Sequence, residues 1–94
     1  MRNYELMLIT PTSLDKEHED ALFDKVNKII TENKGKVKDS STLGKKKLAY
    51  PIQDQTEGIY SLIKLEGENK TVSELDRQLH ITGEVLRHGI FRMD

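Results

Sequence analysis

The chain has 94 residues, 35% hydrophobic and 33% charged, with no cysteine and a formal net charge of −1 at pH 7. That length suits one small hydrophobic core rather than two, so a single domain over residues 1–94 is expected. The absence of cysteine excludes disulfide staples, thiolate nucleophiles and cysteine zinc sites. The near-neutral charge removes the simplest case for a domain that grips a phosphate backbone unaided, so any polyanion contact must come from a local patch. The start, "MRNYELMLITPTSLD", carries no long apolar core with a small-residue cleavage site, and no apolar run is long enough to span a bilayer. A cytoplasmic, non-membrane protein is therefore expected.

From Asn3 to Ile9, Tyr4, Leu6 and Leu8 alternate with Asn3, Glu5, Met7 and Ile9, the two-residue period of a strand, and Pro11 ends it. Asp15 is placed to cap a helix whose first turns hold Glu17, Glu19 and Asp20, acids favoured at the positive end of the helix dipole. Leu22, Val26, Ile29 and Ile30 follow at helical spacing, and the pattern predicts a stop with Lys34 in the last turn and Gly35 as the left-handed cap. A long extended stretch, Lys36 to Gln53, then changes its apolar parity. Val37 and Leu43 are odd, whereas Leu48, Tyr50 and Ile52 are even. A one-residue slip turns every side chain to the other face, so a bulge near Gly44 is predicted, and Pro51, which cannot donate a ladder hydrogen bond, marks an edge strand.

"QDQTEG" turns the chain into a second alternating strand, Ile59 to Leu65, making a hairpin. Thr71 with Glu74 has the spacing of a capping box that opens a shorter helix, with Val72, Leu75 and Leu79 on one stripe and Gly83 as its stop. Val85 to Met93 is a final strand. The order strand, helix, strand, strand, helix, strand, with right-handed crossovers, gives an α+β, ferredoxin-like split βαβ sandwich (βαββαβ): a four-stranded antiparallel sheet with two helices on one face. Met7, Tyr60 and Leu62 are placed on the open face. An uncovered face bearing aromatics is a binding candidate, although scattered exposed apolar residues are also ordinary.

Chemistry is sparse. His18, His80 and His88 lie far apart without ligand spacing, so no metal site is expected. The acids Asp15, Glu17, Glu19, Asp20 and Asp24 read as a solvated helix face. No nucleophile elbow, P-loop or dinucleotide fingerprint occurs, so neither a catalytic residue nor a cofactor is expected and the chain is not read as an enzyme. The common RNA-reading module of this topology stacks bases on aromatics of its third strand, but "EGIYSLIK" puts Glu57, Ile59 and Lys64 at the positions that matter. What remains is basic surface: Lys34, Lys36, Lys38 and Lys45 to Lys47 around the second strand, Arg2 on the first, Arg87 and Arg92 on the last. Strand alternation sends Lys45 and Lys47 one way and Lys46 the other unless the chain bends there. These lysines either protect an exposed edge from sheet-to-sheet association or contact phosphate.

Across essentially its whole length the chain is similar to the family of ribosomal protein S-six of the bacterial small subunit. The likeness lies in "MRNYELMLI", in "LGKKKLAYPI" followed by "EGIY", in "ELDRQL" and in "VLRHGIFR", in that order and spacing. The resemblance implies the same ferredoxin-like fold and a non-enzymatic, structural role: binding the central domain of small-subunit ribosomal RNA together with ribosomal protein S-eighteen during assembly. Matched onto this sequence, it implies RNA backbone contact by Arg2, Lys45, Lys46 and Lys47, with Arg87 next. It places the protein partner on Leu48, Tyr50, Ile52, Tyr60 and Leu62. The alternative of a different class is a ferredoxin-like sensor or enzyme that acts as a homodimer on a small molecule. Acyl-phosphate hydrolysis on this fold would need an anion-gripping arginine after the first strand, and "TPTSLD" has none.

Overall fold

Alternation in the first run becomes β1 (Arg2–Pro11), in a computed structural model that describes residues 2–52 and 55–93. Its even residues Tyr4, Leu6 and Leu8 are buried, and β1 pairs antiparallel with both β3 (Gln55–Gly67) and β4 (Arg87–Arg92). The long extended stretch is β2 (Lys36–Ile52), which pairs only with β3, so the described sheet runs β2-β3-β1-β4 with β2 at one edge. Helices α1 (Lys16–Glu32) and α2 (Asn69–His80) complete the βαββαβ order. They cover the face where Leu6, Leu8, Ile63 and Leu65 meet Leu22, Val26, Ile30, Leu75 and Leu79, the core of the protein. The fold is the expected ferredoxin-like sandwich, and Met7, Tyr60 and Leu62 do lie on its other face, as pairs across the strands Met7 to Leu62 and Ile9 to Tyr60.

The helix ends differ in detail from the expected ones. Asp15 caps α1 as predicted, its carboxylate accepting from the His18 amide at 2.8 Å. At the other end α1 finishes at Glu32, two residues before Lys34. The left-handed residue is Lys34 itself, with φ of 66°, and not Gly35. The Lys34 amide donates to Thr31 and the Gly35 amide to Ile30, the paired bonds that close a helix with a left-handed residue. Gly35 is needed for another reason. A β-carbon there would stand 2.7 Å from Thr71 Cγ2, 2.8 Å from Ile30 Cγ2 and 2.9 Å from the Glu66 carbonyl oxygen.

Thr71 also takes a different place from the one its spacing suggested. The cap of α2 is Glu68 and Thr71 is its third residue: the Thr71 hydroxyl accepts from the Glu68 amide at 3.1 Å. The same hydroxyl donates to the Asn33 carbonyl at 2.6 Å, so a fully buried threonine joins the end of α1 to the start of α2. Glu74 instead accepts from Arg77 and Gln78, which hold its carboxyl down at about 2. Helix α2 ends at His80, where the Thr82 hydroxyl and amide bond back to Gln78 and Leu79, ahead of Gly83. β4 is shorter than the run Val85 to Met93; Val85 is buried in the core and its amide closes a turn on the Thr82 carbonyl.

In β2 the predicted irregularity is present: the register shifts between Thr42 and Gly44, and Gly44 has φ of 95°. The bulge does not gather the lysines, however. It lies before them, and Gly44 to Lys47 pair in unbroken register with Tyr60 to Glu57, so Lys46 remains on the open face while Lys45 and Lys47 take the opposite parity. Pairing of Ile52 with Gln55 closes the hairpin; Gln53 and Asp54, on which part of the expected turn falls, lie outside the described residues.

Two outcomes test these ends. Lys34→Gly should raise stability by about 1 kcal/mol in chemical denaturation by relieving the left-handed penalty, whereas Gly35→Ala should lower it by about 1–3 kcal/mol through overpacking. The Asp15–His18 contact gives a pH signature. The His18 amide and ring pull the Asp15 carboxyl below its ordinary 3.8, so its contribution is lost as pH falls through that range, and the Asp15 carboxylate raises His18 above its ordinary 6.5, so the ion pair is lost as pH rises past it. His18→Gln should therefore destabilise the protein at about pH 5.5 and leave it nearly unchanged at about pH 8.5, as read from denaturation midpoints at the two values.

Candidate nucleic-acid interface

The open face becomes a site at the end of the sheet where β1 stops. Pro11, the last residue of β1, pairs with Gly58, and beyond that point β2 and β3 continue alone as a ribbon. A β-carbon at Gly58 would lie 2.6 Å from Ile9 Cγ2 and 3.6 Å from Leu48 Cδ2, so the missing side chain is what lets Ile9 and Leu48 close over β3. Leu48 is 8% exposed and Ile9 4%, an apolar lock on the nominally solvent face.

Around this lock the polar groups converge. Lys46, two residues before Leu48, sets its ammonium 5.9 Å from the centre of the Tyr60 ring. Arg87 opens β4 opposite Ile9. Its guanidinium donates to the Tyr50 hydroxyl and lies 5.9 Å from the centre of that ring. Tyr50 itself is 55% exposed, so the pair stands in solvent with its charge unneutralised by any acid it bonds to among the described residues. Such cation–aromatic pairs leave a positive, flat surface, suited to phosphate and to stacked bases.

The sequence candidates therefore divide into three groups. Lys46 and Arg87 join Tyr50 and Tyr60 at one end of the open face. Lys45 and Lys47 lie on the ribbon with helix-side parity, and Lys45 is engaged with Glu57 at 3.7 Å. Arg2 starts β1 beside Gly67, at the other end of the sheet, about 24 Å of strand from Ile9, where it reaches Asn69 Oδ1 at 3.5 Å. Of the residues matched to a protein partner, Tyr60 and Leu62 are half-buried on the open face, Ile52 is half-buried near the tip of the ribbon and Leu48 is inside the lock. Phe91 and Met93 were not singled out from the sequence. They share the parity of Arg87 and Gly89, are 52% and 57% exposed, and extend the apolar strip from Leu62 and Met7. Carrying the alternation through "RHGIFRM" would have found them.

Among the described residues no cluster of histidine and acidic side chains could hold a metal ion, and no helix is long and apolar enough to cross a membrane.

Known proteins share both the sequence and the fold. The family model described as ribosomal protein S6 matches residues 3–92. A small ribosomal subunit protein bS6 from Desulforudis audaxviator is 42% identical over 94 residues, covering all of both chains. The bS6 protein of Symbiobacterium thermophilum is 44% identical over 92 residues, 98% of this chain and 97% of that one. The crystal structure of 30S ribosomal protein S6 from Thermotoga maritima superposes with a TM-score of 0.89 at 33% identity, over 98% of this chain and 87% of that one. With its sequence matched from the first strand to the last and its sheet and helices superposed on a solved relative, the chain belongs to the ribosomal protein S6 family.

Proposed function

We propose that the chain is a structural, non-catalytic constituent of the small ribosomal subunit, a single domain over residues 1–94 that binds the central domain of the small-subunit ribosomal RNA together with ribosomal protein S-eighteen. Family membership makes it a ribosome-associated, cytoplasmic protein. The observation that carries the RNA reading is the convergence of Lys46, Arg87, Tyr50 and Tyr60 at one end of the open face. Two cations held beside two exposed or half-exposed rings can meet a phosphate and an unstacked base together. A formal charge of −1 fits this division of labour: a near-neutral chain makes a few local phosphate contacts while a more basic partner supplies the rest. The apolar strip of Tyr60 and Leu62, with exposed Tyr50 and half-buried Ile52 on the ribbon, is the surface that fits the protein partner, and buried Leu48 packs beside it. Arg2 makes a separate RNA contact at the far end of the sheet.

Replacing Lys45, Lys46 and Lys47 together by alanine should weaken RNA binding in the presence of S-eighteen and flatten its dependence on salt by about 0.7–0.9 log units for each phosphate that the variant no longer neutralises. Of the single changes, Lys46→Ala should cost more than Lys45→Ala, because Lys45 already has Glu57. A slope and affinity unchanged in the triple variant would remove these lysines from the RNA surface. Leu62→Glu, on a solvent-facing position, should lower affinity for S-eighteen about tenfold or more in calorimetry while circular dichroism remains that of the parent. Unaltered affinity would move the partner off this face.

A further inference from the structure

The long edge strand is defended along most of its length. Exposed edges template association with other strands, and lysines, prolines and bulges are the usual defences. In β2 these are Lys36 and Lys38, the shift between Val37 and Asp39, the shift between Thr42 and Gly44, the lysine triplet and Pro51. The defences lapse in one place. Asp39, Ser40, Ser41 and Thr42 pair in unbroken register with Lys64, Ile63, Leu62 and Ser61, carry no lysine or proline, and are exposed at the edge of the sheet.

Behind that same stretch α1 does not cover the sheet completely. A groove of about 290 Å³ opens between α1 and β2, with Phe23, Val26 and Ile63 as its apolar floor and Asp24 and Ser40 on its rim. Asp24 is exposed and, like Asp20 one turn earlier, makes no ion pair among the described residues. On β2, Lys38 just before this stretch is engaged with Glu66 at 3.4 Å. An undefended backbone edge, a partly apolar groove and an exposed acid beside it thus coincide.

We propose that the edge of β2 at Asp39 to Thr42 docks an extended, basic segment of another protein, which adds to the sheet as a fifth strand. Its main chain pairs with the free edge of β2, one apolar side chain enters the groove over Val26 and Ile63, and flanking lysines or arginines face Asp20 and Asp24. Backbone pairing supplies affinity that depends little on sequence, and the groove and the acids choose the segment. A second copy of this chain fits less well, since Lys36, Lys38 and the lysine triplet of the two edges would be brought together. This surface is on the opposite side of β2 from β3 and is separate from the RNA face, so either can fail without the other.

The test titrates the intact protein with a blocked synthetic peptide, Lys-Val-Arg-Leu-Lys-Val-Arg, following backbone amide signals by NMR. Expected are shifts and slowed hydrogen exchange at Ser40 to Thr42. Asp24→Lys should weaken binding about tenfold, the peptide with glutamate at every basic position should regain affinity for that variant, and N-methylation of alternate peptide amides should abolish binding to both. Binding that ignores N-methylation, shifts confined to Tyr60 and Phe91, or equal binding of basic and acidic peptides by the parent protein would overturn the proposal. So would protection of Ser40 to Thr42 that appears without peptide and grows with protein concentration, which assigns the edge to a second copy. A uridine oligonucleotide that protects the same amides would overturn it in favour of RNA.

Discussion

Everything that distinguishes the candidate RNA surface depends on a side chain that is not there. At Gly58 the central strand β1 has ended, and the ribbon of β2 and β3 would diverge from the sheet if a β-carbon kept Ile9 and Leu48 off it. Because Ile9 and Leu48 close at this point instead, the ribbon is anchored to the sheet's solvent face by apolar contact. The consequence is geometric. Tyr50, two residues past Leu48, comes within reach of Arg87 on the opposite edge strand, and Lys46, two residues before it, sits beside Tyr60. Two edges that are separated by β3 and β1 in the sheet thereby contribute to one surface.

At the other end of the molecule a buried hydroxyl has a comparable role for the helical layer. Thr71 fills the space left by Gly35 and Gly67, accepting from Glu68 and donating to Asn33, so both crossovers turn against the same side chain. A valine there would match the shape but leave the Asn33 carbonyl without that donor. The two ends are thus held by different forces. One is a polar knot under the helices; the other is an apolar lock on the open face.

The element order and the buried stripes were legible in the sequence because period-2 and period-3.6 patterns report directly on which side faces a core. Tyr4, Leu6 and Leu8, or Leu22, Val26 and Ile30, have only one consistent placement. Helix ends were less legible, since several residues compete for each role. Gly35 looks like a left-handed cap but is required by the crowding around Thr71, which leaves the strained conformation to Lys34. Thr71 with Glu74 matches a capping box, yet Glu68 with Thr71 makes the bonds, and Glu74 is drawn to Arg77. At the candidate site the lysines and Arg87 were visible as charge, whereas the pairing of Arg87 with Tyr50, 37 residues away, follows from a ribbon folding back and has no local signature.

Edge protection and phosphate contact looked like competing explanations for the basic triplet, and the register shows why they are compatible. In an antiparallel ladder neighbouring side chains alternate between faces, so one run of three lysines supplies Lys46 to the open face and Lys45 and Lys47 to the other parity. Charge on both faces makes it costly for a second strand to approach this part of the edge, whichever way it is turned. Of the three lysines, Lys46 alone stands beside an aromatic ring among the described residues, and Lys45 is partly neutralised by Glu57. The triplet therefore combines one lysine placed beside an aromatic ring on the open face with two that guard the edge. Shortening it to a single lysine at position 46 would preserve the Lys46–Tyr60 pair while removing most of the guard. The edge of the ribbon would then be guarded by Lys46 and Pro51 alone, more open to strand addition than in the parent, and solubility would fall.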